Sequence, residues 1–260
     1  MIHEPPALPS VLPEPDQAEV IPTTSQELKA WGIYGFDSID HRSRSFNLIR
    51  SRLIELSRER SWRMFGIVSA TPQVGKSFIA ANLAASLSRT PKVQTYLMDL
   101  DLRRGSVSIL CGLAANGNVG EYLEHADGAD RPTAYRFESE NLVIVPTKPK
   151  LAASAELLAG QRAQNLFQAM RSSGPDCLFI VDLPPVFAND DASIAMVHLD
   201  AYILVAEEGK TTERELKDVT ALLGEDRQAG VILNKYRGGV VNEGYGVNDY
   251  YSSGYDRISE

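Results

Sequence analysis

The residues best suited to chemistry are the run Ala70-Thr-Pro-Gln-Val-Gly-Lys-Ser77, which sets a glycine, a lysine and a hydroxyl in succession between an apolar stretch and a helix-forming one. Such a loop presents backbone N–H groups and a helix N-terminus to an anion, and Gly75 lets the backbone approach that anion closely. Lys76 then reaches the β- and γ-phosphates of ATP while the Ser77 hydroxyl ligates Mg2+. Thr71, Pro72, Gln73, Val74 and Phe78 complete the predicted nucleotide-binding stretch. One position departs from the usual pattern, since Ala70 stands where the first glycine falls. The plain alternative is an incidental Gly-Lys-Ser tripeptide in a strand-to-helix turn, and placement after an apolar run and before a helix weighs against it.

Carboxylates supply the second half of the chemistry. Asp99 and Asp101 close the run Leu97-Met-Asp-Leu-Asp-Leu-Arg-Arg104, and two acids spaced by two point to the same side of an extended chain. That arrangement is costly unless cations neutralise it, and a metal-bound nucleotide supplies them. Asp182 ends a further apolar run, Phe179-Ile-Val-Asp-Leu-Pro-Pro185. Separately, the first pair could be a solvated strand end countered by Arg103 and Arg104, and Asp182 a turn residue. One loop lysine and three acids at strand ends together point to a Mg-nucleotide site.

These residues need a scaffold that gathers strand ends. Runs at 64–70, 93–100, 141–146, 177–183, 201–207 and 230–234 are apolar on both faces, the pattern of strands in a buried parallel sheet. Helical spacing fills the intervals at 77–88, 155–173, 190–198 and 212–224. Alternating strand and helix predicts an α/β fold with a doubly wound, mostly parallel sheet, whose ligand lies beyond the carboxyl ends of the strands. Phe46, Ile49, Leu53 and Leu56 mark an amphipathic helix over 43–60 ahead of the first of these strands.

The flanks read differently. Residues 1–24 contain six prolines and few large apolar residues, and the reading takes 1–42 as a disordered acidic arm, 43–235 as the folded domain and 236–260 as a flexible tail. Of the formal net charge of −8, most resides in those flanks, so the middle is nearly neutral and offers no basic footprint for nucleic acid. Two cysteines, Cys111 and Cys177, make a disulfide framework implausible and suit a reducing cytosol. No apolar run is long enough to span a bilayer, so the expectation is a protein that stays inside the cell. The tail is unusual, because Tyr245, Tyr250, Tyr251 and Tyr255 crowd into the last 16 residues of a chain with 10 tyrosines in 260.

In this order, the phosphate loop, the Asp-Leu-Asp strand end and the Asp-Leu-Pro-Pro strand end resemble Walker A, Walker A′ and Walker B of the bacterial tyrosine kinases of exopolysaccharide and capsule synthesis. The resemblance extends over 43–260 and includes the stretches at 153–158, 189–192 and 209–211. It implies a P-loop NTPase of the deviant Walker A type shared with MinD- and ParA-like ATPases. It also implies an ATP- and Mg2+-dependent autokinase, for which Tyr245, Tyr250, Tyr251 and Tyr255 are phosphoacceptors, reached in trans. Lys76 and Ser77 would hold ATP and Mg2+; Asp99 would be base or orienter of the attacking hydroxyl; Asp101 and Asp182 would support metal and geometry, with Ser77, Asp99 and Asp182 around the cation. Asn234 would contact adenine, and Arg103 would either neutralise the transferring phosphate or pair with an acid. The implied partners are a separate inner-membrane polysaccharide co-polymerase as activator, further copies through the tyrosine tail, and a phosphotyrosine phosphatase. The location is the cytoplasm, peripheral to the inner membrane.

Departures from the pattern keep two other functions open. The first helix of the family carries Glu, Arg and Arg at three-residue spacing for ring assembly, and Arg44, Asn47 and Arg50 stand there, matching only at the last. Leu183 replaces a usual Thr, and Glu207 and Glu208 fall near a usual arginine. A partition or positioning ATPase would carry an early loop lysine where this chain has Thr71, and would lack the tyrosines. A non-catalytic nucleotide-binding regulator of polysaccharide export is the other alternative.

Overall fold

A computed structural model describes residues 11–113, 118–125, 129–138, 140–148 and 153–236. Its strands are β1 (Glu19–Ile21), β2 (Met64–Val68), β3 (Gln94–Asp99), β4 (Tyr135–Phe137), β5 (Leu142–Val145), β6 (Cys177–Asp182), β7 (Ala201–Glu207) and β8 (Gln228–Asn234). They form one sheet in the order β1-β4-β5-β3-β6-β2-β7-β8, parallel throughout except where β4 meets β5. The helices are α1 (Ser25–Ala30), α2 (Arg44–Arg60), α3 (Lys76–Ser88), α4 (Val107–Leu110), α5 (Val119–Glu124), α6 (Ser154–Ala159), α7 (Gln161–Ser172), α8 (Asp191–Met196) and α9 (Glu213–Leu223). No described helix is long and apolar enough to cross a membrane.

Alternation along the strands divides the core into two layers. On β2, Phe65 and Ile67 face a cluster containing Leu53 and Leu56 of α2 and Leu83 and Leu87 of α3. Met64 and Val68 face the opposite cluster, with Leu158 of α6, Phe167 of α7, Met196 of α8 and Val219 of α9. Helices therefore cover both faces, the doubly wound arrangement expected from the sequence. β2 lies between β6 and β7, so the loop that follows it emerges beside the carboxyl ends of its neighbours.

Two expectations are corrected. Residues 11–42 are not a disordered arm: β1 adds in parallel to β4, with Glu19 N donating to Ala134 O at 2.8 Å, and a capping box on Thr24 starts α1. Leu12, Leu28 and Ile33 are all buried against the sheet layers, and Trp31 and Phe36 pack on the same core as Leu28 and Ile33. The proline-rich composition of 1–24 does not extend over 25–42, where these apolar residues supply the burial that orders the segment. The helical pattern over 155–173 is two helices, because Gly160 is extended at φ −73° and ψ 165° and separates α6 from α7. The expected phosphoacceptors Tyr245, Tyr250, Tyr251 and Tyr255 lie outside the described residues.

Candidate active site

The phosphate loop connects β2 to α3 through two left-handed residues, Gln73 at φ 64° and Gly75 at φ 95°. Gly75 is required twice over. Its backbone favours glycine, and a Cβ there would stand 2.3 Å from Nδ2 of Asn234. Pro72, Gln73, Gly75, Lys76, Ser77 and Phe78 line a cleft of about 490 Å3. Val74 turns the other way and is buried in the core, while the carbonyl of Thr71 accepts the Ser69 hydroxyl at 2.7 Å. Phe78 braces the start of α3 by edge contacts with Tyr34 and Phe46.

The acids gather beneath and beside this loop because β3 and β6 are neighbours in register. Asp99 pairs with Asp182 across the two strands, and Asp182 also pairs with Ile67 of β2. Asp182 Oδ2 accepts a hydrogen bond from the Ser77 hydroxyl, whose oxygen in turn accepts from Ser106 Oγ at 2.7 Å. Burial pushes the Asp182 carboxyl up to about 7, against the opposing pull of Lys76 and the Ser77 hydrogen bond. Burial, then the neighbouring Asp182, raises Asp99 well above the usual carboxylate range. Burial likewise raises Asp101.

The three acids do not share one role. Asp101 lines the cleft, and its Oδ1 caps the loop by accepting Arg104 N at 3.0 Å. Asp99, expected to face the acceptor hydroxyl, has 0% exposure and lies under the loop. Its carboxylate accepts the backbone N–H groups of Asp101 at 3.2 Å and Val107 at 3.1 Å. The loop packs so tightly that a Cβ on Gly105 would meet Thr147 at 1.9 Å. Asp99 therefore holds the segment that carries Asp101.

The other expected residues are also placed. Asn234 donates its amide to the Val74 carbonyl at 2.7 Å, so it grips the loop. Arg103 turns to Ser154, donating from Nε at 2.7 Å, and to the buried Asp191 at 3.5 Å, so in this structure it pairs with an acid. The cleft is lined by Arg104, which sequence reasoning left as a countercharge, and by Ser106, which it missed. Asn47, one of the two residues that depart from the first-helix pattern, accepts hydrogen bonds from Ser86 and Arg89, which fixes α2 to α3.

The donor set suits a hard cation. Asp182 Oδ1 is a buried carboxylate oxygen with no partner in the structure, and the Ser77 hydroxyl stands at the other oxygen. Oxygen ligands of this kind bind Mg2+ together with phosphate oxygens.

No family model matches the chain. It is 32% identical over 193 residues to tyrosine-protein kinase wzc of Salmonella typhimurium strain LT2, which covers 71% of this chain and 26% of the relative. It is 31% identical over 179 residues to succinoglycan biosynthesis transport protein ExoP of Rhizobium meliloti strain 1021, covering 66% of this chain and 22% of that one. The chain thus spans about a quarter of the length of these relatives. Among solved structures, the kinase domain of Escherichia coli tyrosine kinase ETK superposes with a TM-score of 0.69 at 23% identity, covering 87% of this chain and 94% of that one. The septum site-determining protein MinD of Pyrococcus horikoshii, complexed with Mg-ADP, superposes at 0.55 and 22% identity, covering 67% and 71%. The fold is that of deviant P-loop ATPases, and with its relatives named tyrosine-protein kinases the chain belongs to the bacterial tyrosine kinase family.

Proposed function

We propose that the chain is an ATP-dependent protein-tyrosine kinase domain that phosphorylates Tyr245, Tyr250, Tyr251 and Tyr255 of other copies of itself. The observation that carries this reading is the convergence of Lys76, Ser77 and Asp101 on one cleft, with the buried Asp182 accepting a hydrogen bond from Ser77 behind it, on the carboxyl side of β2, β3 and β6. The loop holds the phosphates, and Lys76 neutralises charge on the transferring group. Ser77 and Asp182 would hold Mg2+, which would supply charge neutralisation when bound. The tyrosine oxygen forms a bond to the γ-phosphorus as the bond to the bridging oxygen breaks and ADP leaves.

We assign the tyrosine proton to Asp101, the acid that opens onto the cleft, and loop support to Asp99. A raised Asp101 carboxyl is the better proton acceptor. The biological setting we propose is control of exopolysaccharide or capsule polymerisation and export, in line with the succinoglycan biosynthesis transport protein among the relatives. An inner-membrane co-polymerase would activate the domain and bring it to the membrane, and a phosphotyrosine phosphatase would reverse the modification. Phosphates on an already acidic segment favour release over docking, so modification acts as an assembly switch.

An anti-phosphotyrosine blot after incubation with Mg-ATP tests this reading. Signal from the full chain and none from Lys76→Met is expected. An equal signal from Lys76→Met, or none from either, would reject it.

A further inference from the structure

We infer that Lys235 is a positioning residue for the phosphate loop, acting with Asn234 as a two-point clamp from the end of β8. The inference rests on the nucleotide-binding reading of that loop. Gln73 is a side-chain-bearing residue in the left-handed region, a conformation that persists only when its surroundings hold it. Its carbonyl accepts Lys235 Nζ at 2.6 Å, and the next carbonyl, of Val74, accepts Asn234 Nδ2 at 2.7 Å. Two consecutive carbonyls of the phosphate loop are thereby held from the end of β8.

The clamp has its own anchor. Lys235 Nζ also donates to Glu207 Oε2 at 3.0 Å, and Glu207 Oε1 pairs with Lys210 at 2.7 Å. Thr211 Oγ1 accepts the backbone N–H of Glu207 at 2.9 Å, and Glu208 N donates to the Asn234 carbonyl at 3.1 Å. Lys210, and then Lys235, hold the Glu207 carboxyl below its usual range, so it stays ionised and available at neutral pH. Lys235 is itself left-handed at φ 56°, so the bond joins two unfavourable backbone positions. A lysine that only ended a strand would need neither contact. Glu207, which falls near a position where the family usually carries arginine, is explained as the base of this clamp.

The test uses the full chain and fluorescent N-methylanthraniloyl-ADP with Mg2+. Lys235→Ala and the length-preserving Lys235→Met should each weaken binding about tenfold, the size of one charge-assisted hydrogen bond lost. Lys235→Arg should restore most of the affinity. Hydrogen exchange without nucleotide should quicken at residues 73–76 in Lys235→Met while the amides of β2 and β3 keep their protection. Thermal unfolding confirms that the variants are folded. Binding by Lys235→Met within about twofold of wild type, alongside lost binding in Lys76→Met, would overturn the clamp alone. Wild-type binding by Lys76→Met would instead overturn the nucleotide reading beneath it. No rescue by Lys235→Arg would also count against a charged donor at this position.

Discussion

Gly75→Ala isolates the geometry of the phosphate loop. At φ 95° an alanine pays roughly 1–2 kcal/mol for the left-handed backbone. Its methyl would lie 2.3 Å from Asn234 Nδ2, so that amide must withdraw and its 2.7 Å bond to the Val74 carbonyl is lost. A lost hydrogen bond of this kind costs about 1 kcal/mol. The reduced freedom of the unfolded chain returns roughly 0.4–1 kcal/mol, which leaves a net destabilisation of about 2 kcal/mol. Urea unfolding of wild type, Gly75→Ala, Asn234→Ala and the double variant reads this directly. In the Asn234→Ala background the bond is already gone, so adding Gly75→Ala should cost about 1 kcal/mol less than in wild type. Equal cost in both backgrounds, or a single-variant cost under about 0.5 kcal/mol, would refute the coupling between glycine and asparagine.

Other expectations follow from the packing and the site. Leu53→Ala, at a position buried between α2 and the sheet, should destabilise by about 3 kcal/mol in the same assay, and a loss under about 1 kcal/mol would mean that α2 is loosely docked. Burial raises both thiols, Cys111 up to about 12, but only Cys177 is open to solvent, so alkylation of the native protein at alkaline pH should label the half-buried Cys177 slowly and spare Cys111 until the chain unfolds. Asp101→Asn should lower turnover more than nucleotide affinity, whereas Asp182→Asn should weaken the Mg2+ dependence of nucleotide binding; matching kinetic and binding defects in the two variants would remove the division of labour. Mixing Lys76→Met, which keeps its tyrosines, with a chain ending at Gly244, which keeps its site, should place phosphate on the Lys76→Met copies; none there would exclude transfer in trans.

The central sheet was legible because β2, β3, β5, β6 and β7 are apolar on both faces and separated by helical spacing. The phosphate loop was legible because its residues are contiguous. What escaped depends on contacts between distant segments. β1 and β4 span three residues each, too short for a pattern, and become strands by pairing with each other at the sheet edge. The depth of Asp99 follows from the Gly105 turn closing on Thr147, a contact that the spacing of two acids does not encode. Asn234 and Lys235 reach the loop only because β8 returns beside β7, one strand away from β2. Asn47 departs from its family's assembly pattern, and its amide oxygen is engaged inside the domain, on Ser86 and Arg89 of α3 and its cap.

The most direct test of the central claim is intact-mass and peptide mass spectrometry of the full chain after incubation with Mg-ATP, run beside Lys76→Met. The account predicts successive single-phosphate increments on wild type, mapped to Tyr245, Tyr250, Tyr251 or Tyr255, and an unmodified Lys76→Met chain. Wild-type protein that hydrolyses ATP while every tyrosine stays unmodified would contradict the kinase assignment, and phosphate on the Lys76→Met chain alone would contradict the site.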